Sequence, residues 1–269
     1  MVSSRNLHLK QHEFAGMISE ISNNWFVCPL TNPEAETRLF LFPYAGGGPA
    51  AFGKWPAELP GNIETWIVHY PGRGSRHNEL PVKQIITLTE RLFQAIQPLL
   101  DKPFAFFGHS LGGLVAFELT RNLHRQNLPQ PQMLFISACG APGIPDPHPP
   151  IHALPDAEFP QALQDLNGIP AEVSNLPELM ELLLPALRAD FEAIESYRYT
   201  SNELPLNCPI IALGGLYDPR VSRERLDGWT LQTNAGFKSH YFPGDHFFIN
   251  TAREAVIAFI ATELTLSHA

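Results

Sequence analysis

The sequence predicts an α/β fold: a mostly parallel central sheet flanked by helices, with a helical segment inserted late in the chain. Three observations predict it. Short apolar runs suited to buried strands alternate with stretches of helical period. Glycine-rich or proline–glycine turns follow several of those strands. One strand, Phe104 to Phe107, passes through Gly108-His109-Ser110-Leu111-Gly112 directly into a helix.

Taken in order, Arg38 to Phe42 is the first strand and runs into the loop Pro43-Tyr44-Ala45-Gly46-Gly47-Gly48-Pro49. Ile63 to Tyr70 is the second, closed by Pro71-Gly72-Arg73-Gly74. Val82 to Leu100 has an apolar face of Ile85, Ile86, Leu88, Leu92, Ile96 and Leu99 at helical spacing. The helix after Ser110 places Leu111, Leu114, Val115, Glu118 and Leu119 on one side. Met133 to Ala138 is a further buried strand. Seven prolines between 142 and 160 then exclude a central strand. Pro177 to Tyr197 is helical, with Met180, Leu183, Leu184, Leu187, Phe191 and Ile194 on one face, and Pro185 is expected to kink or split it. The sheet resumes at Pro209 to Leu213. A short helix from Arg220 to Trp229, a strand from Phe237 to Phe242 and a last helix from Thr251 to Leu264 complete the chain. The domain reading is an N-terminal extension (1–24), a core (25–144 and 206–269) and a helical insertion (145–205). The apolar face of that insertion serves either as plain core or as a lid over a site on the rigid sheet.

Composition narrows the function classes. A length of 269 residues suits one large α/β domain, and 44% apolar residues is ordinary for a globular protein. The net charge of −9 and the lack of a basic tract argue against nucleic acid. No apolar run approaches the roughly 18–20 residues of a membrane span, and the first twenty residues have no apolar core of a signal peptide. Cys28, Cys139 and Cys208 have no metal-type spacing and read as reduced, mostly buried thiols of a cytoplasmic protein.

Gly108-His109-Ser110-Leu111-Gly112 fits G-x-S-x-G in the strand–turn–helix context of a nucleophile elbow, the turn that carries the serine of α/β-hydrolases. Glycines beside the serine let backbones approach closely, and the helix behind it aims free N–H groups at a developing anion. A serine hydroxyl needs a base within reach and a group that orients the base. In the order Ser, Asp or Glu, His, Asp218 follows the strand 209–213 and His246 follows the strand 237–242. Both lie at the carboxyl ends of strands, where ligands of open α/β sheets gather. Among eleven histidines, His109 is expected to point away from Ser110 and His240 to pack within its strand. His69 and His77 are alternatives for touching substrate. Asp245 adjoins His246 too closely to hold its ring, and after the 133–138 strand no carboxylate occurs before Asp146. Asp218 also reads as the cap of the helix after it. The oxyanion donors are the N–H groups of Leu111 and of Ala45 in the early glycine-rich loop.

Six blocks in order carry a resemblance beyond the fold. They are Leu41 to Gly48 with Trp55, Tyr70 to Arg76, Gly108 to Gly113, Leu187 to Phe191, Gly214 to Asp218 and Gly244 to Phe248. Together they resemble the type II thioesterases of nonribosomal peptide and polyketide synthesis, from about Trp25 to the C-terminus. The resemblance implies Ser110 as nucleophile, His246 as base and Asp218 as its orienter. It implies a monomeric hydrolase, without metal or cofactor, that removes stalled or misprimed acyl groups from the phosphopantetheine arm of acyl or peptidyl carrier proteins. Leu183, Leu187 and Phe191 would then line the acyl pocket or its lid, and Tyr44 would touch substrate. Tyr44 departs from the family, where histidine is usual, and Asp245 stands where a small residue is common. Carrier proteins are usually acidic, as this chain is. Docking therefore requires a local basic or apolar patch, for which Arg220, Arg223 and Arg225 are candidates beside the alternative of a solvated helix face. A medium-chain acyl-carrier hydrolase of fatty acid synthesis, a general carboxylesterase and a non-catalytic relative are the rival readings.

Overall fold

A computed structural model describes residues 24–165, 176–200 and 203–266. Seven strands form one sheet: β1 (Phe26–Val27), β2 (Thr37–Phe42), β3 (Ile63–Val68), β4 (Phe104–His109), β5 (Leu134–Ser137), β6 (Ile210–Gly215) and β7 (Phe237–Phe242). Their spatial order is β1-β3-β2-β4-β5-β6-β7. All neighbours are parallel except β1, which pairs antiparallel with β3. The helices are α1 (Trp55–Glu58), α2 (Ile85–Ile96), α3 (Leu111–Arg125), α4 (Phe159–Asp165), α5 (Pro177–Ser196), α6 (Arg223–Asp227), α7 (Phe248–Thr251) and α8 (Arg253–Leu266).

The central strands β4, β5 and β6 are buried throughout because both faces of the sheet are covered there, as parallel sheets require. Alternate residues feed two cores. Phe40, Phe42, Phe104, Phe106, Leu134 and Ile136 pack with α2, α3 and α5. Leu39, Leu41, Ala105, Phe107, Phe135 and Leu213 pack with Trp55 of α1 and with α8. Rings of neighbouring strands meet edge-to-face, with Phe42 and Phe106 centroids 5.1 Å apart. That spacing adds to burial worth about 1.5–3 kcal/mol per side chain.

Most expected elements form within a few residues of their sequence limits. The exceptions have physical causes. Helix 82–100 is shortened to α2 and then tightens into a 3-10 turn over Gln97–Leu99, which contains Pro98. Ile86, placed on its apolar face, is 46% exposed. Pro185 does not split its helix: α5 is helical throughout. Pro185 and Glu181, whose carbonyl loses the i→i−4 bond, are both exposed, so the helix meets the proline on its solvent side, where the lost bond is least costly. The helix expected from Arg220 starts at Arg223, because Ser222 is its cap and accepts the Arg225 N–H at 3.3 Å. The last helix is two, α7 and α8, broken at Ala252. The extension 1–24 lies outside the described residues apart from its final position. The insertion 145–205 contributes α4 and α5, and residues 166–175 and 201–202 within it are not described.

One buried ion pair fastens α5 to the loops at the carboxyl end of the sheet. Arg73, in the turn after β3, meets Asp190 of α5 through two parallel contacts of 2.6 and 2.9 Å. Both side chains are 3% exposed. Asp190 Oδ2 also accepts the Gly46 N–H at 2.7 Å, and Arg73 donates to the Gly47 and Pro71 carbonyls at 3.3 Å. A fork-to-fork pair with its remaining donors and acceptors engaged is the form in which a buried pair survives. Replacing Arg73 with Met leaves the Asp190 carboxylate buried without its partner. We expect a loss of about 3–5 kcal/mol, read as a lower denaturant midpoint, with part of it recovered in the R73M/D190N double variant. An unchanged midpoint for R73M would show that the pair carries no net stability.

Candidate active site

The chain leaves β2 toward β3 on one side and returns to β4 on the other. The crevice of a reversing α/β sheet opens between such strands at their carboxyl ends. Here it brings the loop after β2 (43–48) beside the turn after β4.

Ser110 sits in that turn with φ 54° and ψ −116°. A side chain in this region is strained by roughly 1–3 kcal/mol, so the turn has to be held from outside. The Ser110 N–H donates to the Ser137 carbonyl at 2.8 Å, and the Ser110 carbonyl accepts the Gly113 N–H at 2.9 Å. The two flanking glycines are sterically required. A Cβ on Gly108 would lie 2.2 Å from the Gly112 carbonyl oxygen, and one on Gly112 would lie 2.0 Å from that of Phe42. The helix α3 can approach β2 and β4 this closely only without those atoms.

His246 follows β7 and Asp218 follows β6. Asp218 Oδ2 and His246 Nδ1 are 2.9 Å apart, with side chains only 1% and 3% exposed. Asp218 Oδ1 accepts the N–H groups of Arg220 at 2.8 Å and Val221 at 3.3 Å. Burial alone raises the Asp218 carboxyl. The His246 hydrogen bond and charge and the two N–H groups outweigh it and hold the carboxyl below its ordinary value. Asp218 therefore does both things its sequence position suggested: it caps the following turn and orients the histidine. Ser110, Leu111 and His246 meet in the wall of one cavity of about 60 Å3. No hydrogen bond joins the Ser110 hydroxyl to His246 among the described residues. Such contacts commonly tighten only with substrate bound.

On the other side of the crevice, Tyr44 to Gly47 form a turn closed by the Gly47 N–H on the Tyr44 carbonyl at 2.9 Å. Gly46 takes φ +75° there, the left-handed position such turns give to glycine. The Gly46 N–H is engaged by Asp190. Ala45 is 4% exposed, and neither its N–H nor that of Leu111 has a hydrogen-bond partner among the described residues.

The other sequence candidates fall elsewhere. His109 is fully buried, its Nδ1 2.8 Å from Ser137 Oγ, and burial followed by the neighbouring His246 holds its ring well below the ordinary histidine value. His69 faces the Arg73 carbonyl at 3.0 Å, His77 faces that of Gly74, and His240 stacks on Phe259. Asp245 accepts the Phe247 N–H at 2.8 Å. Tyr44 packs edge-on against His109 and Phe247.

A second cavity of about 500 Å3 shares Leu114, Gly140, Asp146, Ile194, Arg220 and Arg225 with the first. Leu183, Leu187 and Phe191 are not in either lining. Leu187 and Phe191 are 1% exposed core residues, and Leu187 instead fills the space above Gly46, where an added Cβ would meet its Cδ2 at 2.5 Å. The residue of α5 that reaches both cavities is Ile194. The three arginines proposed for docking do not form a free patch. Arg225 pairs with Asp146 at 3.0 Å, Arg220 lines both cavities, and Arg223 lies 3.9 Å over the Tyr241 ring. Sequence reasoning gave no role to Arg73 and Asp190, which are 117 positions apart and have no local spacing signal.

Among the described residues, no cluster of three or more His, Cys, Asp or Glu side chains could hold a metal ion, and no helix is long and apolar enough to cross a membrane. All three cysteines are free, and burial pushes the Cys139 and Cys208 thiols up to about 12.

Comparison with known proteins gives the same picture. The family model of the thioesterase domain matches residues 37–264. The gramicidin S biosynthesis protein GrsT of Aneurinibacillus migulanus is 42% identical over 93% of this chain and 96% of its own. The type II thioesterase BorB from the borrelidin biosynthetic cluster superposes with a TM-score of 0.82 at 34% identity, over 89% of this chain and 97% of its own. YbtT, a type II thioesterase of the yersiniabactin pathway, does so at 0.81 and 31%, over 91% and 100%. The chain belongs to the thioesterase family, on the α/β-hydrolase fold and in its type II branch, and is a thioester hydrolase.

Proposed function

We propose that this enzyme hydrolyses acyl thioesters on the phosphopantetheine arm of carrier proteins, clearing stalled or misprimed acyl groups in nonribosomal peptide or polyketide synthesis. The observation that carries the reading is the convergence, at one end of the sheet, of a strained serine turn and a buried histidine–carboxylate pair on a single cavity. The printed descriptions of GrsT, BorB and YbtT support the biosynthetic setting. Such a protein works among reduced thiols in the cytoplasm, as a monomer, and takes its substrate from the partner rather than from a bound cofactor.

Ser110 is the nucleophile. Its Oγ attacks the thioester carbonyl carbon as His246 Nε2 removes its proton, and Asp218 holds Nδ1–H so that the ring presents the basic nitrogen. The N–H groups of Leu111 and Ala45 receive the charge that develops on the carbonyl oxygen. Both are free to do so, because Gly46, not Ala45, is bound to Asp190. Collapse of the tetrahedral intermediate breaks the C–S bond, and the pantetheine thiolate leaves with the proton from His246. Water then attacks the acyl-serine with His246 again as base, releasing the acid and restoring Ser110. The segment 145–205 acts as a lid, with α5 as its inner wall.

Replacing Ser110 with Ala should reduce turnover well beyond tenfold. Asp218→Asn keeps the shape but favours the wrong imidazole tautomer, and its kcat should fall by about 10⁴. Retention of near-normal rates in either variant would remove that residue from the mechanism. The substrate class is tested by offering one short acyl group on a carrier protein, on a free small thiol and as a p-nitrophenyl ester. Preference for the carrier-bound thioester is expected. Faster ester cleavage without carrier preference points to a general esterase using the same three residues.

A further inference from the structure

The charged groups around the two cavities are almost all paired. Asp146 is held by Arg225 at 3.0 Å and by His148 at 2.9 Å. Arg225 also donates to the Arg220 carbonyl at 2.9 Å. Glu195 accepts the N–H groups of Ile151 and His152. Tyr197 gives its hydroxyl to Glu118, which is itself paired with Arg121. Arg198 donates only to the Glu195 and Tyr197 carbonyls, and Arg225 keeps one buried donor, Nε, without a partner. Arg220 goes further. Its guanidinium makes no ion pair or hydrogen bond among the described residues and lies 5.3 Å over the Phe191 ring.

An arginine keeps its proton in proteins, so its five N–H donors persist wherever it is placed. Arg220 is half-buried; partial burial of such a group without acceptors carries a cost, and desolvation draws the Arg220 guanidinium below its ordinary value even with Asp146 and Asp218 opposing it. The position is not incidental. Arg220 lines the small cavity that holds Ser110 and His246, and it also lines the large one beyond. The large cavity's wall is rich in proline, with Pro142, Pro145, Pro149 and Pro150, and proline offers no N–H. An acyl chain joined to Ser110 and extending into the large cavity passes the Arg220 donors.

We propose that Arg220 is a specificity residue: it binds an oxygen acceptor, carbonyl or carboxylate, carried on the acyl chain a few atoms beyond the thioester carbonyl. The inference rests on the thioesterase reading of this site and adds a substrate class to it: oxygenated acyl chains over plain saturated ones.

The test compares acetoacetyl and butyryl thioesters of N-acetylcysteamine, which share chain length and leaving group and differ in the 3-oxo oxygen. The quantity read is the ratio of kcat/KM for the two, in wild type, Arg220→Met and Arg220→Lys. The ratio cancels intrinsic reactivity and any loss both substrates share through the adjoining Asp218 turn. It should fall about tenfold or more in R220M, the size of a lost charge-assisted hydrogen bond, and be partly restored in R220K. An equal fall in both rates with an unchanged ratio overturns the proposal and makes Arg220 a support of the Asp218 turn or a contact to the leaving group. Hydrolysis by wild type of neither acyl group, whether on N-acetylcysteamine or on a carrier protein, overturns the carrier-thioesterase reading and the specificity proposal with it.

Discussion

The Arg73–Asp190 pair is the contact on which the geometry of the crevice depends. It joins three segments that no strand pairing connects: the turn after β3, the glycine-rich loop after β2 and helix α5. The sheet fixes where β2 ends, but not where the following loop points. Asp190 does that by accepting the Gly46 N–H, and Arg73 by donating to the Gly47 carbonyl. With these two peptide units anchored from behind, the Ala45 N–H, in the unit just before them, is left over. Leu187, one helical turn before Asp190, covers Gly46 from above. The same helix that walls the cavity therefore also sets the loop proposed to hold the oxyanion, so a displacement of α5 would be felt by that loop as well as by the cavity.

The nucleophile side is built differently. Its precision comes from close steric packing rather than charge. At Gly108 and Gly112 the absence of Cβ lets α3 approach β2 and β4, and the Ser110 dihedrals are held there by its hydrogen bonds to Ser137 and Gly113. The stability for this comes from the flanking apolar layers, where the alternating phenylalanines of β2 and β4 are fully buried. One half of the site is thus held by close backbone packing and the other by a desolvated ion pair. A substitution at Gly112 and one at Asp190 would damage the site by unrelated routes.

What the sequence made legible follows from this division. The strained serine turn, the strands and the placement of Asp218 and His246 just past their strands were readable because each is local: a period of two, a turn with glycines at fixed offsets, a polar residue after a strand. That Asp218 rather than Asp245 contacts His246 agrees with chain geometry. Features made by contacts between distant segments were not readable. Nothing in the neighbourhood of Asp190 distinguishes a clamp from a solvated helix carboxylate. Likewise the helical period of α5 marks Leu183, Leu187 and Phe191 as apolar, yet it does not say whether the face they form meets core or cavity. Leu187 and Phe191 met core, and Ile194, a turn further on, met cavity. The continuity of α5 through Pro185 was hidden for a similar reason. The cost of a proline in a helix depends on whether water reaches the carbonyl it strands, and that is a property of the folded surface.

The proline-rich segment looked like an interruption of the fold and turns out to be part of the chamber wall. Four of its prolines face the large cavity. A wall of this kind has fixed dihedrals, loses little entropy on folding and offers few hydrogen-bond donors. Any polar selectivity in the chamber must then come from side chains opposite it. Tyr197 is already committed to Glu118, and Tyr199 donates to Gln232 at 2.7 Å. Arg225 is committed to Asp146. Beside Ser110 the unengaged donors are the single Nε of Arg225 and the guanidinium of Arg220. The same placement that removes this arginine from any surface docking patch, at the junction of the two cavities, is what makes it available to the substrate. The proposed hydrolytic centre on the sheet thus adjoins a chamber whose proline side offers few donors, with the half-buried Arg220 at the junction as the proposed point of discrimination.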